Sequence, residues 1–298
     1  MTLYDLQDNC EIDLIDTPLT VALGCFDGLH MGHRKIIGRA LSFKEPCCVF
    51  TFSTNLFDAP CIDSPKKKLE LFAKLGVRYV CVADFEAVKD MSWSEFAEEV
   101  LLGILKAKQV VCGYNFTFGK DACGNAKLLC EYMQSRNLDC IIIDEVKINK
   151  NTVSSTAVRQ SLSDGDCEKA TELLGRPYCV EYDVVHGNSI GRAFGYPTIN
   201  HIPRESDVKL ARGVYICSCM GYPAVTDVGV RPTVVNDPCE VYETFIIGFN
   251  GDLYEKNPGV NFYKKIREEK RFPSIEALKE QIGRDVEECK EYFKTHEI

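Results

Sequence analysis

The hydrophobic rhythm of this chain changes once along its length, and that change limits the folds open to it. Up to about Leu174, short and nearly continuous apolar runs alternate with helical patterns. The runs are TVALGCF from Thr20, CCVFTF from Cys47, YVCVADF from Tyr79, QVVCGYNF from Gln109 and DCIIIDEV from Asp139. Continuous apolar runs suit parallel strands covered on both faces. Between them, Ser64-Pro65 offers an N-cap and a first-turn proline, and Leu69, Phe72 and Leu75 precede a stop at Gly76. Ser92 with Glu95 reads as a capping box before an apolar face of Phe96, Val100 and Ile104. Strands alternating with helices predict a doubly wound, Rossmann-like α/β domain, with ligands at the carboxyl ends of its strands. After Leu174 the apolar runs follow one another directly: YCVEYDVVHG, GVYICSCM, AVTDVGV, EVYETFIIGF and VNFYKKI. These predict an antiparallel barrel or sandwich. A last helix from near Ser274 carries Leu278, Ile282, Val286, Cys289 and Phe293 along one stripe.

Length and composition are consistent with this division. The chain has 298 residues, of which 45% are hydrophobic, enough for two cores. The expected layout is a first domain at 1–165, a linker at 166–177 and a second domain at 178–298. The N-terminal residues lack a basic and apolar signal pattern, and no apolar run reaches the length of a membrane span. A cytoplasmic protein with reduced thiols is therefore expected. The sixteen cysteines include no C-x-x-C pair and propose no zinc site. A net charge of −9 argues against binding nucleic acid through a basic surface, and it leaves nucleotides open. Oligomeric state is not encoded in any recognisable pattern, so a homo-oligomer stays open.

The strongest motif runs from Gly24 through Cys25, Phe26, Asp27, Gly28, Leu29, His30, Met31 and Gly32 to His33. It follows a strand and opens a helix, where a helix N-terminus can hold phosphate. His30 and His33, two of only five histidines, share one face of the first turn. They could stabilise negative charge developing on a phosphorus under attack. Gly24, Gly28 and Gly32 allow close approach of backbone or ligand. The motif resembles the H-x-G-H nucleotidyltransferases, and in its full form the adenylyltransferase half of bacterial FAD synthetases. Two later strings agree: Gly113 to Lys120 with Asn115 inside, and Val153-Ser154-Ser155-Thr156-Ala157-Val158-Arg159. The resemblance implies that Gly24, Phe26, Asp27, Gly28, Asn115, Ser155, Thr156 and Arg159 bind nucleotide or flavin. Taken alone, Ser154 to Thr156 also reads as a helix cap, and Phe116 and Phe118 as core. One string departs from the family: Thr51-Phe52-Ser53-Thr54-Asn55-Leu56 has asparagine where the family has a histidine, and lacks both prolines.

The second half carries His186-Gly187-Asn188-Ser189-Ile190-Gly191-Arg192-Ala193-Phe194-Gly195-Tyr196-Pro197-Thr198-Ile199-Asn200. This resembles the riboflavin kinase module, which folds as a small six-stranded barrel. Gly213-Val214-Tyr215, Val228 to Thr233 and Glu243 to Phe249 match further family strings. The resemblance implies that Gly187, Gly191, Arg192, Gly195 and Pro197 bind ATP. It also implies that Thr198 and Asn200 place Mg²⁺ and that Glu243 is the catalytic base. Independently, a carboxylate inside the apolar YETFIIGF run calls for a reason, although an outward-facing glutamate on an amphipathic strand is the plainer one. Taken together, the motifs predict a bifunctional enzyme using ATP and Mg²⁺ to make FMN from riboflavin and FAD from FMN. Two alternatives stay open: a riboflavin kinase whose first half is weakened or lost, and a non-catalytic flavin or nucleotide binder.

Overall fold

The computed structural model describes residues 1–5, 17–53, 59–185, 195–232, 238–253 and 256–296. Backbone contacts divide the chain into two units, Met1–Ser155 and Thr156–Ile298.

The described residues of the first unit form ten strands: β1 (Thr2–Asp5), β2 (Leu19–Leu23), β3 (Cys47–Phe52), β4 (Tyr79–Ala83), β5 (Ala107–Gly113), the short β6 (Thr117–Phe118) and β7 (Gly124–Asn125), β8 (Asp139–Ile143), β9 (Lys147–Ile148) and β10 (Asn151–Thr152). Its helices are α1 (Met31–Leu41), α2 (Pro65–Lys74), α3 (Phe85–Val88), α4 (starting at Trp93–Glu95) and α5 (Ala126–Ser135). The main sheet is wholly parallel, in the order β1-β4-β3-β2-β5-β8. Residues alternate between its faces as strand geometry requires. Ala22, Val49, Val80 and Val111 meet Ile37 of α1 and Phe72 of α2 on one face. Val21, Leu23, Phe50 and Val110 meet Val100, Leu101, Leu129 and Met133 on the other. Helices therefore cover both faces, which is the doubly wound arrangement. All five expected strands form, and the edge strand β1 joins them.

Local chemistry explains the helix ends. Ser64 caps α2 by accepting from the Lys67 N–H, Pro65 opens it, and Gly76 at φ +87° ends it. The capping box at Ser92 and Glu95 is formed in both directions. Beyond it the helix departs from expectation, because Phe96–Ile104 is wound as a π-helix. There the Leu105 N–H donates to the Val100 carbonyl, five residues back. Wider turns bring Ala97 and Leu101 into the core beside Phe96 and Val100, while Ile104 is only partly buried.

One correction concerns the cysteines. Cys130 on α5 and Cys140 on β8 form a disulfide, contrary to the expectation of reduced thiols throughout. Most other described cysteines are buried fillers; burial pushes the Cys47, Cys112 and Cys167 thiols up to about 12. Backbone contacts divide the chain after Ser155, ten residues before the expected end of the first domain at 165. The segment 166–177, expected as the linker, is largely helical. It holds α7 (Cys167–Leu174), capped by Asp166 and ended by the left-handed Gly175. With α6 (Ser155–Ser163) before it, α7 packs on β11 and β17 of the second unit.

That unit is an antiparallel sheet curled on itself. Its strands are β11 (Tyr178–Val180), β12 (Val184–Val185), β13 (Thr198–His201), β14 (Gly213–Cys219), β15 (Tyr222–Pro232), β16 (Pro238–Ile246) and β17 (Val260–Arg267). They run in the order β11-β17-β14-β15-β16-β13-β12. There are seven described strands where the resemblance implies six, because the Tyr178 run breaks into β11 and β12 at opposite edges. Tyr182 leaves the ladder between them and donates its hydroxyl to Asp207 at 2.8 Å. The last helix, α8 (Ile275–Thr295), is capped by Ser274. Its stripe of Ile282, Val286, Cys289 and Phe293 covers Val214, Ile216 and Val225. Arg267 of β17 binds both carboxylate oxygens of Asp285, itself nearly buried, and locks that helix to the sheet.

Candidate functional site

In the first unit, chain order turns back between β2 and β5, the neighbouring strands from which successive connections run in opposite directions. A crevice at the carboxyl ends of such strands is the usual ligand position. The turn from β2 into α1 lies there. It is tight: Phe26, Gly28 and Leu29 all adopt positive φ, at 53°, 78° and 39°. Two of these are not glycine, so the turn stores backbone strain. The space left by the glycines is filled by the protein. A Cβ on Gly24 would meet the Phe26 ring at 3.1 Å, one on Gly28 would meet Ile62 at 2.9 Å, and one on Gly32 would meet the His30 ring at 3.1 Å.

His30 caps α1: its Nδ1 accepts from the His33 backbone N–H at 3.2 Å. An accepting Nδ1 leaves the proton on Nε2, so that nitrogen of His30 is a donor. The two imidazoles stack with centroids 3.6 Å apart. Desolvation, the adjoining His30 and the Lys68 charge hold the His33 pKa well below the ordinary imidazole value. Its Nδ1 is buried without a hydrogen-bond partner.

The structure gives several predicted residues a role in building the turn. Phe26 is fully buried and packs edge-on against His33 and Phe72. Asp27 is 4% exposed, and its carboxylate accepts from the Ile62 and Asp63 N–H groups. Its carbonyl accepts from the Ser155 hydroxyl at 2.9 Å, which fastens the start of α6 to the turn. Asn115 is exposed just after β5. Thr156 is exposed and Arg159 half-buried on α6; both are counted with the second unit. Thr54, Asn55 and Leu56 lie outside the described residues.

One residue of this region escaped the motif reading. Lys68 of α2 is 8% exposed. Its ammonium donates to the Cys25 carbonyl at 3.2 Å, the Thr51 hydroxyl at 3.2 Å and the Phe52 carbonyl at 3.0 Å. In sequence it is the third of three consecutive lysines, and nothing local separates it from Lys66 and Lys67.

In the second unit, register assembles the site. Glu243 on β16 lies directly opposite Asn200 on β13 and Asp227 on β15. Opposed residues of an antiparallel ladder share a face, so the three form a transverse row. Asn200 is 6% exposed and its Oδ1 is buried without a partner; the same holds for Asp227 Oδ1. Burial, then the charges of Glu243 and Glu269, raise the Asp227 carboxyl to about 6 against the opposing pull of Arg267. Thr198 lies two residues before Asn200 on the same face. Pro197 leads into β13, and Gly195 sits at φ +85°. Gly187, Gly191 and Arg192 lie outside the described residues. Among the described residues, no group of three or more His, Cys, Asp or Glu side chains gathers to hold a metal. The donors here are hydroxyl, amide and carboxylate oxygens, a set that suits Mg²⁺ shared with substrate phosphates. The unpartnered Asn200 oxygen fits such an ion.

Comparison with known proteins separates the same two segments. A family model for FAD synthetase matches residues 13–157, and one for riboflavin kinase matches residues 174–293. The bifunctional riboflavin kinase/FMN adenylyltransferase of Pseudomonas fluorescens is 33% identical over 279 residues, covering 89% of each chain. That of Escherichia coli K12 is 32% identical over 291 residues, covering 92% of each. The chain belongs to the bifunctional riboflavin kinase/FMN adenylyltransferase family. A solved chain described as a macrolide-efflux protein from Streptococcus pneumoniae shares the architecture throughout, with a TM-score of 0.86 at 28% identity and 97% of this chain covered. The family boundaries place strands β11 to β17 in the riboflavin kinase segment and the H-x-G-H turn in the FAD synthetase segment, while α7 lies between the two except for its last residue, Leu174.

Proposed function

We propose that this chain performs two successive reactions: riboflavin and ATP give FMN and ADP at the second unit, and FMN and ATP give FAD and pyrophosphate at the first. The observation that carries this reading is the presence, in one chain, of both family segments, each with its acid–base or donor residues gathered at one place.

At the kinase site, the riboflavin 5′-hydroxyl oxygen attacks the γ-phosphorus of ATP as the bond to ADP breaks. Glu243 receives the hydroxyl proton, which is the task of a positioned carboxylate in phosphoryl transfer to an alcohol. Thr198 and Asn200 would hold Mg²⁺. That ion, when bound, neutralises charge on the ATP phosphates. Gly195 and Pro197, with Gly187, Gly191 and Arg192, are assigned to ATP binding.

At the adenylyltransferase site, an FMN phosphate oxygen attacks the α-phosphorus of a second ATP and pyrophosphate departs. His30 donates from Nε2 to a phosphate oxygen as charge builds on it, and His33, held neutral, supports the stacked pair. Gly24, Phe26, Asp27 and Gly28 hold the turn in shape, while Asn115, Ser155, Thr156 and Arg159 are assigned to nucleotide and flavin. No proton has to be removed from the nucleophile, so positioning and donor placement supply the rate.

The use of ATP supports a cytoplasmic location, and no described helix is long and apolar enough to cross a membrane. Asn55, in place of the family histidine, favours a second reading in which the first half is slow. Incubating the protein with riboflavin, ATP and Mg²⁺ and resolving the flavins by chromatography decides between them. Both FMN and FAD are expected. A stop at FMN would support the slow-half reading, and riboflavin left unchanged would overturn the kinase assignment.

A further inference from the structure

Among the described residues, Lys68 is the only lysine or arginine in the buried class. Withdrawing an ammonium from water costs several kcal/mol unless its surroundings compensate. An ammonium has three protons, and three protein oxygens lie within 3.2 Å of this one. No proton is left over for a substrate phosphate, so Lys68 acts through the groups it holds. Those groups are informative. The Cys25 carbonyl lies at the entrance to the H-x-G-H turn. Thr51 and Phe52 end β3 and begin the Thr51–Leu56 string, in which Asn55 stands where the family has a histidine. Thr51 also donates to the Cys25 carbonyl at 2.8 Å, so one ammonium closes a small network across two neighbouring strand ends.

We propose that Lys68 is a positioning residue for adenylyl transfer: its ammonium clamps the entrance of the H-x-G-H turn to the end of β3 and supplies the fixed positive charge beside the His30–His33 pair. This rests on the adenylyltransferase reading of the first unit. The surrounding charges agree with it. His33 is faced by His30 from the turn and by Lys68 from α2, and both disfavour a proton on its ring. Lys68 in turn faces Asp27 and Asp63 and the thiols of Cys25 and Cys61, which oppose its own loss of charge by burial. An imidazole kept neutral retains one donor and one acceptor nitrogen, so its donor direction is fixed by its surroundings.

The test is the full-length Lys68→Met variant, which keeps the length of the side chain and removes its charge. Three readouts are taken: steady-state FMN adenylylation across pH, kinase activity of the same molecules, and the titration of the His33 imidazole by NMR. Five histidines give five ring signals, and His33→Asn identifies the one required. The expected result is a fall of about 100-fold in kcat for FAD formation, the cost of a misplacement near 1 Å. KM for ATP and the kinase rate stay within about twofold of wild type, as the ammonium contacts neither substrate. The acid limb of the adenylylation profile and the His33 titration both move to higher pH, because a charge that opposes protonation is gone. Lys68→Arg, which keeps the charge on a planar head, is expected to return the titration to its wild-type position while restoring only part of the rate. A loss of FAD formation that merely follows the folded fraction, with the His33 titration unmoved, would reduce Lys68 to a structural staple and overturn the proposal. If wild-type protein makes no FAD, the adenylyltransferase reading fails, and the His33 titration alone then decides the electrostatic claim.

Discussion

In the proposed function Glu243 and His30 carry separate reactions, and each can be replaced without touching the other unit. Glu243→Gln keeps the shape of the side chain and removes its basicity. FMN formation should fall by about 100-fold or more, while supplied FMN is still converted to FAD. His30→Ala should do the reverse, through loss of a donor to the phosphate and of the cap on α1. A loss of both activities in either variant would argue against two separate sites. His201 makes a different prediction. It is completely buried, both ring nitrogens lack partners, and burial lowers its pKa to about 4 despite the nearby Asp183. The unfolded chain takes up this proton near pH 6.5, so it binds more protons than the native state between about 4 and 6.5. Stability is therefore complete above pH 6.5 and falls as the pH drops toward 4, by about 3 kcal/mol in all. His201→Leu should flatten that loss, measured as the calorimetric transition of the kinase unit at pH 7 and pH 4.5. At this scale the sequence is partly readable. Glu243 stands out as a carboxylate in an apolar strand, and His30 and His33 as a pair in one turn. Lys68 and Asp227 do not, because their meaning comes from partners distant in sequence: Cys25, Thr51 and Phe52 for one, Glu243 for the other.

Helix α8 is held by a mixture of forces that can be separated. Its apolar stripe supplies area, and the Arg267–Asp285 pair supplies direction. Asp285 is 3% exposed, so Asp285→Ala leaves a guanidinium facing a pocket built for a carboxylate. The expected cost is about 3 kcal/mol. Thermal unfolding followed by loss of kinase activity measures it. The double substitution Arg267→Met with Asp285→Leu should recover most of that loss, because removing both charges removes the penalty as well. The elements themselves are largely legible. The five parallel strands, the caps at Ser64, Ser92 and Ser274 and the stripe of α8 all follow from apolar spacing and local hydrogen bonding. The π-helical winding of Phe96–Ile104 does not, because positions 96, 97, 100 and 101 fit an α-helical face equally well, and only the tertiary contacts of Ala97 and Leu101 distinguish the two. Strand β1 is missed for a simpler reason: TLYD is four residues long and carries one strongly apolar residue.

On the scale of the whole molecule, two units with separate cores imply separable failure. Asp285→Ala should lower the temperature at which kinase activity is lost and leave the loss of adenylyltransferase activity where it was; a common shift of both would mean that the units unfold together. The order of the two chemistries along the chain is legible from the motifs, whereas the position of the boundary is not. The residues of 166–177 read as a connector because the apolar rhythm changes at Leu174, yet α7 buries Cys167, Ala170, Leu173 and Leu174. Strand register has a last consequence for the kinase unit. Glu243 faces Asn200 and Asp227 only in the observed alignment; on either side of it, Tyr242 and Thr244 are completely buried on the other face. A chain in which β16 settled one residue out of step would keep its strand content and send the carboxylate into the interior. Circular dichroism would read that chain as native. Kinase turnover per mole of protein therefore acts as a count of correctly aligned molecules, and a refolded preparation can be graded by it where spectra are silent.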